Sequence, residues 1–290
     1  MITAMALSEE VDEDVKIHAV VIVLGDVGRS PRMQYQTVSL LEEGHRVSLV
    51  GYEGEDLIPP LSGVEERLNV IRFKIPSLKV LKSVLPLYFL WRVLSLCLYL
   101  LYALFVSVPS AGRNMKQVDL VLVQNPPALP LLAVSYFYCF LKKVQTGKKP
   151  ALVIDWHNLG FTMLPNSFLS KIARSYERMM APKADAHLCV TRAMKSFVET
   201  QFAIPANSIH VLYDCPPEMF RPLSTTDQHD LLARIHTQLC VACPKSWYQN
   251  LDPTRHQTLF TEKNAEGECI PLANRPALVT SSTCTFLSIH

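Results

Sequence analysis

The segment DWHN, residues 155–158, combines the side chains in this sequence that are best suited to acid–base chemistry. It overlaps the end of the apolar run ALVI, so it should lie where a buried strand ends. His157 could act as a general base near neutral pH, with Asp155 orienting its ring. Asn158 could hold a sugar hydroxyl. The alternative is that His157 is a loop histidine with structural hydrogen bonds only.

A second candidate site is the turn in GDVGRSPRMQ, residues 25–34. Ser30 suits an N-cap and Pro31 the first helical position, so the turn should feed a helix. Backbone N–H groups and the helix dipole favour an anion at such a turn, and arginines add bidentate donors. The spacing G-x-x-G is not the dinucleotide pattern G-x-G-x-x-G, which disfavours NAD. The alternative is a turn that only reverses the chain. The candidate residues are Gly25, Gly28, Arg29, Ser30 and Arg32.

The third cluster is QNPP, residues 124–127, at the predicted carboxyl end of another strand. Gln124 and Asn125 are its polar members. Ligands of open α/β sheets bind at the carboxyl ends of the strands. We therefore expect the three clusters to converge on one edge of a crevice.

Alternating strands and helices must position these clusters. This alternation is typical of an α/β domain with a parallel, doubly wound sheet. The predicted strands are 19–24, 46–52, 69–73, 119–123, 151–155, 187–190 and 209–213, and the clearest helices are 31–43, 167–180 and 191–201.

Two apolar segments, about 84–108 and 129–141, are predicted to associate with a membrane. The first is long enough to span a bilayer and contains Arg92 as its only charge. A single span would, however, place strands of one sheet on opposite sides of the membrane. A helix in the interface or a re-entrant hairpin avoids that conflict. The alternative is a pair of buried core helices.

Composition excludes several classes of function. A net charge of +2 argues against nucleic acid as the main partner. Eight cysteines without a recognisable secretory signal favour free thiols in a reducing, cytosol-facing location. The one Asp-x-Asp pair lies in the acidic residues before the first strand, and no metal site is predicted.

The predicted organisation has four parts. Residues 1–17 form an N-terminal tail, and 18–221 form a Rossmann-like domain. Residues 222–275 lack clear periodicity and are interpreted as an irregular linker or insertion with some helix near 231–239. Residues 276–290 are interpreted as the start of another domain, with a strand at 276–280.

These motifs, in this order, resemble the chitobiosyldiphosphodolichol β-mannosyltransferase family of N-glycan assembly. The matching stretches include VVIVLGDVGRSPRMQYQTVSLLEEGHRVSLVGY, DLVLVQNPPALPLLAV, LVIDWHN and SYERMMAPKADAHLCVTRAMK. The resemblance implies a GT-B fold whose N-terminal Rossmann-like domain binds the acceptor. It also implies transfer of mannose from GDP-mannose, with inversion, to dolichol-diphosphate-linked chitobiose, without a cofactor.

The resemblance also implies roles for residues. His157 is the candidate base with Asp155 beside it. The acceptor would lie against Gly25, Gly28, Arg29, Ser30, Arg32, Gln124, Asn125 and Asn158. The implied partners are a lipid-linked oligosaccharide, the cytosolic face of the endoplasmic reticulum membrane and other glycosyltransferases of the same pathway.

The family's C-terminal, donor-binding domain should follow residue 276, and a Rossmann-like domain needs on the order of 100 residues. The sequence is therefore expected to be truncated, with impaired activity alone. The alternative is a non-enzymatic, membrane-docked acceptor-binding half that pairs with a separate donor-binding subunit.

Overall fold

The strands predicted from apolar runs assemble into one parallel sheet. The computed structural model describes residues 17–74, 85–108, 117–164, 168–216, 221–241 and 243–278. Two compact units divide the chain, Met1–Asp214 and Cys215–His290. The strands of the first unit are β1 His18–Asp26, β2 Arg46–Tyr52, β3 Leu68–Phe73, β4 Leu120–Asn125, β5 Ala151–Trp156, β6 Ala186–Cys189 and β7 Ile209–Val211.

The order of the strands is β3-β2-β1-β4-β5-β6-β7, and all pairs of neighbours are parallel. β1, β4 and β5 are consecutive neighbours, and the direction of winding reverses between β1 and β4. Such a switch point opens a crevice at the carboxyl ends of the strands. The prediction that the three polar clusters share one edge is therefore confirmed by the topology.

Helices cover both faces of the sheet because its central strands are apolar on both faces. The helix α1 packs with the core on one face, and α2 to α5 pack with the core on the other. Their bounds are α1 Pro31–Glu42, α2 Leu85–Tyr102, α3 Leu131–Thr146, α4 Phe168–Met180 and α5 Arg192–Phe202.

The helix α2 continues into a π-helical turn, Ala103–Ser107. Leu96, Leu100 and Leu104 are buried and belong to the same apolar core as side chains of β1 and β4. Leu90 and Leu98 on its other side are exposed. One side of this apolar segment is thus a core side, and the other side faces away from the sheet.

The second unit is more regular than its sequence pattern indicates. It contains the helix α6, Thr225–Val241, and an antiparallel hairpin of β8, Thr261–Lys263, and β9, Cys269–Pro271. The boundary after Asp214 also precedes the predicted one at 221. The hairpin strands are only three residues long, too short to show a period of two. Of the strand predicted at 276–280, residues 276–278 are irregular and the rest lie outside the described residues.

Candidate functional site

Asp155 is the centre of a buried polar network at the carboxyl end of β5. Its side chain is fully buried. Arg32 donates to it from Nε to Oδ2 and from Nη2 to Oδ1, each over 2.9 Å. Gln36 donates from Nε2 to Oδ2 over 2.5 Å. Since Arg32 and Gln36 are four residues apart, they lie on the same side of α1 and both reach the strand end.

Burial alone would raise the pKa of Asp155, because it disfavours the charged form. Hydrogen bonds and positive charge from His157 and Arg32 outweigh that effect and hold the pKa below its ordinary value. The Arg32 guanidinium also donates from Nη1 to Asp214 over 2.8 Å. Asp155 is therefore a stable carboxylate, and two acidic side chains compensate the charge of Arg32.

His157 lies directly beyond β5 and is held at two points. Its backbone N–H donates to the carbonyl of Asn125 over 2.9 Å, and its Nε2 lies 3.0 Å from Asp155 Oδ2. Because an ionised carboxylate only accepts, Nε2 carries the proton in this contact. A neutral ring then has its lone pair on Nδ1. With 23% of the side chain exposed, His157 is an oriented base within reach of a ligand.

The carboxylate of Asp26, the last residue of β1, binds the backbone of the turn that follows. Asp26 Oδ1 accepts from the backbone N–H of Gly28 over 2.9 Å and from that of Glu55 over 3.1 Å. A Cβ on Gly28 would overlap the carbonyl oxygen of Glu55, so glycine permits this close approach. The N–H of Gly28, which was predicted to face an external anion, is thus bonded to Asp26. A Cβ on Gly25 would meet only ordinary contact, at 3.7 Å from Val23.

Arg29 and Ser30 lie at the start of α1, as predicted. Arg29 is exposed and pairs with Glu55, with 2.8 Å between Nη2 and Oε1. Ser30 occupies the N-cap position, but its side chain makes no capping hydrogen bond. The Ser30 hydroxyl and the exposed face of Arg29 are the features of this turn that remain suited to an acceptor.

The predicted acceptor-binding residues of β4 and of the loop after β5 differ in their exposure and contacts. Gln124 lies beside Asp155 in the strand register. Asn125 is fully buried, and its Nδ2 lies 3.4 Å from Glu177 Oε1 and 3.5 Å from the carbonyl of Asn158. Asn158 is exposed, and its Oδ1 accepts from the backbone N–H of Leu159. Asn125 is therefore a buried residue that connects Glu177 to the loop after β5, whereas Asn158 is accessible to a ligand.

Sequence reasoning missed Gln36, Asp214 and Glu177. The four-residue spacing from Arg32 could have indicated Gln36. Asp214 follows β7, so the rule of polar residues at strand ends could have indicated it. No local pattern indicates Glu177, whose contacts lie 17 and 52 residues away. Among the residues that the structure describes, no group of three His, Cys, Asp or Glu side chains could hold a metal ion.

Comparisons with known proteins place the chain in a family. The glycosyl transferase 4-like domain matches residues 28–215, which include the whole network around Asp155. The UDP-glycosyltransferase TURAN of Arabidopsis thaliana is 35% identical, over 91% of this chain and 56% of its own length. The chitobiosyldiphosphodolichol beta-mannosyltransferase of Homo sapiens is 34% identical, over 92% of this chain and 54% of its own length.

The chain thus spans about half the length of these curated relatives. Among solved structures, Arabidopsis thaliana UGT89C1 complexed with UDP-L-rhamnose aligns with a TM-score of 0.47 and 12% identity, covering 79% of this chain and 55% of that one. The family match spans most of the first unit and agrees with its α/β architecture and parallel sheet. The chain belongs to the glycosyl transferase 4-like domain family.

Proposed function

We propose that this chain forms the acceptor side of a glycosyltransferase that moves mannose from GDP-mannose, with inversion, to dolichol-diphosphate-linked chitobiose. The observation that carries the proposal is the pairing of His157 with Asp155 at the carboxyl edge of the sheet. This pair provides an oriented base where α/β sheets bind ligands. The name of the human relative, a chitobiosyldiphosphodolichol beta-mannosyltransferase, supports the acceptor and the sugar.

In the proposed reaction, Nδ1 of His157 takes the proton of the acceptor 4-hydroxyl as its oxygen attacks the anomeric carbon of mannose. The bond from that carbon to GDP breaks, and its electron pair goes to the departing diphosphate oxygen. Attack from the opposite face inverts the configuration. Asp155 keeps Nε2 protonated and stabilises the imidazolium that forms, while Arg32 and Gln36 hold Asp155 in place.

Membrane docking by α2 and α3 completes the proposal, because a polyprenyl acceptor stays in its bilayer. Residues Leu87–Ser107 are long and apolar enough to cross a membrane by length and composition, with a mean hydropathy of 2.0. The core contacts of α2 with a sheet that contains both β3 and β4 favour a helix lying in the interface instead. In α3, Phe137, Phe140 and Val144 are exposed.

The charges on this helical layer suit an anionic leaflet. α2 contains no acidic residue, and neither does α3, which carries Lys142 and Lys143. α4 packs with the same core and exposes Phe168 and Leu169, and its one acidic residue is buried. Apolar side chains beside lysines favour the interface of a membrane with anionic lipids. This charge pattern supports the proposed location at the cytosolic face of the endoplasmic reticulum membrane.

A transfer assay on microsomal membranes that carry the chain tests this function. The chain alone, and the chain joined to the C-terminal half of the human relative, receive labelled GDP-mannose and a lipid-diphosphate-chitobiose acceptor. We expect mannosylated product from the joined protein above mock membranes. Labelled UDP-glucose serves as the competing donor, because the Arabidopsis relative is named a UDP-glycosyltransferase. Transfer from UDP-glucose but not from GDP-mannose would refute the proposed donor, and no transfer from either would refute the function.

Product from the chain alone would show that its own residues suffice for transfer. Product only after the C-terminal half is supplied would assign the chain the acceptor-side role. Acceptor binding without transfer in both forms would instead support the non-enzymatic, acceptor-binding alternative.

A further inference from the structure

Glu177 is a buried carboxyl group in a helix whose other charged side chains are exposed. It lies on α4, and only 1% of the residue is accessible to solvent. Lys171, Arg174 and Arg178 of the same helix are exposed. A carboxyl group is rarely buried unless hydrogen bonds hold it. The partners of Glu177 therefore indicate what it does.

Those partners join three separate segments of the chain. Glu177 Oε1 accepts from the backbone N–H of Gly160 over 2.9 Å, and it lies 3.4 Å from Asn125 Nδ2. The same Asn125 amide lies 3.5 Å from the carbonyl of Asn158. One oxygen of Glu177 thus connects α4 to the last residue of β4 and to the turn that follows β5.

Gly160 makes this connection close. A Cβ on Gly160 would lie 2.6 Å from Glu177 Oε1 and 3.4 Å from Pro126 Cβ. A contact under 3.0 Å forces one group to shift, here the end of the Glu177 side chain or the turn, so a methyl group at Gly160 would disturb the hydrogen bond between them. The helix and the turn are in direct contact at this point.

The connection continues to His157. The backbone N–H of His157 donates to the carbonyl of Asn125, and the side chain of Asn125 meets Glu177. Residues 157–160 are therefore held at His157 by the backbone of Asn125 and at Gly160 by Glu177. Asp155 orients the His157 ring but does not fix the turn that carries it.

We propose that Glu177 is a positioning residue that holds the turn 157–160, and with it His157, in the geometry for proton transfer. This role rests on the proposed function, in which His157 is the base. Glu177 acts through Asn125 and Gly160.

The second carboxyl oxygen is compatible with a neutral Glu177. Oε2 is buried and has no hydrogen-bond partner within the described residues. Burial raises the pKa of Glu177, although hydrogen bonds from the Asn125 side chain and from the backbones of Gly160 and Phe161 oppose the rise. A glutamine can keep the accepting oxygen toward Gly160 without a charge. Glu177→Gln should therefore preserve the position of the turn, and Glu177→Leu should not.

Hydrogen–deuterium exchange, followed by mass spectrometry of peptides that cover 157–161, tests the positioning without any need for activity. The chain is held in nanodiscs containing anionic lipid. We expect Glu177→Leu to speed exchange about tenfold in this turn, Glu177→Gln to retain the protection, and Glu42→Gln, an exposed control on α1, to match the unaltered chain. Equal exchange in the unaltered chain and Glu177→Leu would overturn the proposal.

Gly160→Ala provides a second test in case Glu177→Leu does not fold. Its methyl group would separate the Glu177 carboxyl group from the turn, and we expect the same faster exchange. Unchanged exchange would contradict the close connection. In the transfer assay, Glu177→Leu should lower kcat about tenfold, with the KM for acceptor unchanged and with rescue by Glu177→Gln. A changed KM with kcat retained would assign Glu177 to acceptor binding and overturn the positioning role.

These outcomes separate the two proposals. If Glu177→Leu loosens the turn but the unaltered joined protein transfers no sugar, the proposed function is refuted and the structural role of Glu177 stays in place. Transfer by the unaltered protein with exchange and kcat unaffected by Glu177→Leu would refute only the role of Glu177.

Discussion

The guanidinium of Arg32 binds both carboxylate oxygens of Asp155, with 2.9 Å on each side. These residues are 123 positions apart, and the pair fastens the start of α1 to the carboxyl end of β5. Bidentate pairs of this kind fix orientation as well as distance. The pair therefore brings the turn after β1 and the segment with His157 together in one site.

Arg32→Met should destabilise the first unit strongly, because it leaves the charge of Asp155 buried without its main partner. Loss of one member of a buried pair costs about 3–5 kcal/mol. Arg29→Met is the matched control: its pair with Glu55 is 73% and 61% exposed, and such pairs contribute about 0–1 kcal/mol. Urea denaturation of both variants measures the difference. Equal losses would contradict the structural role of Arg32.

The lowered pKa of Asp155 predicts how stability depends on pH. The unfolded value is about 3.9, and the folded value lies below it. The stabilising contribution is therefore fully present above about pH 4 and is lost as the pH falls through the folded pKa. The free energy of unfolding of the unaltered chain should exceed that of Asp155→Asn at pH 5, and this difference should shrink as the pH falls below about 4. A difference in the free energy of unfolding that grows below pH 4 would contradict a lowered pKa of Asp155.

Gly25, near the end of β1, and Gly28, in the turn that follows, should differ in their tolerance of alanine. Gly28→Ala places a methyl group against the backbone of Glu55, and overpacking of this kind costs about 1–3 kcal/mol. Gly25→Ala meets only an ordinary contact and should be nearly neutral. Thermal unfolding of the two variants checks the prediction. It is wrong if Gly25→Ala is the more damaging change.

The outward side of α2 should bind anionic membranes. Leu94 and Leu98 are 51% and 59% exposed, and replacing both by serine removes apolar area that would enter the interface. We expect binding to vesicles containing phosphatidylserine to weaken on the order of tenfold or more. Leu231→Ser with Val241→Ser changes two exposed apolar residues of the second unit and should leave binding unchanged. Equal loss from both pairs would contradict docking through α2.

The sheet could be predicted from the sequence because each strand is a local signal. β2 could be predicted from the β-branched and apolar residues that follow Gly44. Gly44 itself has a φ of +81°, the left-handed conformation expected of a glycine at a helix end. The approximate site could also be predicted, since polar residues follow apolar strands. The partners of those polar residues could not. Arg32 was assigned to an external anion because nothing near it in sequence shows that Asp155 lies opposite.

The second unit shows the same limit. The helix expected near 231–239 lies within α6, but the hairpin strands are too short to leave a periodic signal, so the sequence predicts most of 222–275 as irregular. Glu177 was missed because its role depends on Gly160 and Asn125, which only the folded chain brings to it.

The proposed function depends on His157 acting as the base of the transfer reaction. The most direct test is mannose transfer by the joined protein that carries His157→Ala. The rate at saturating acceptor gives kcat, and the rates over a range of acceptor concentrations give KM. His210→Ala, on β7, is the control. Removal of a general base lowers turnover by about 10²–10⁴-fold. We expect a fall of this size in kcat with the KM for acceptor largely retained, and unchanged turnover in His157→Ala would contradict the role of His157 as the base.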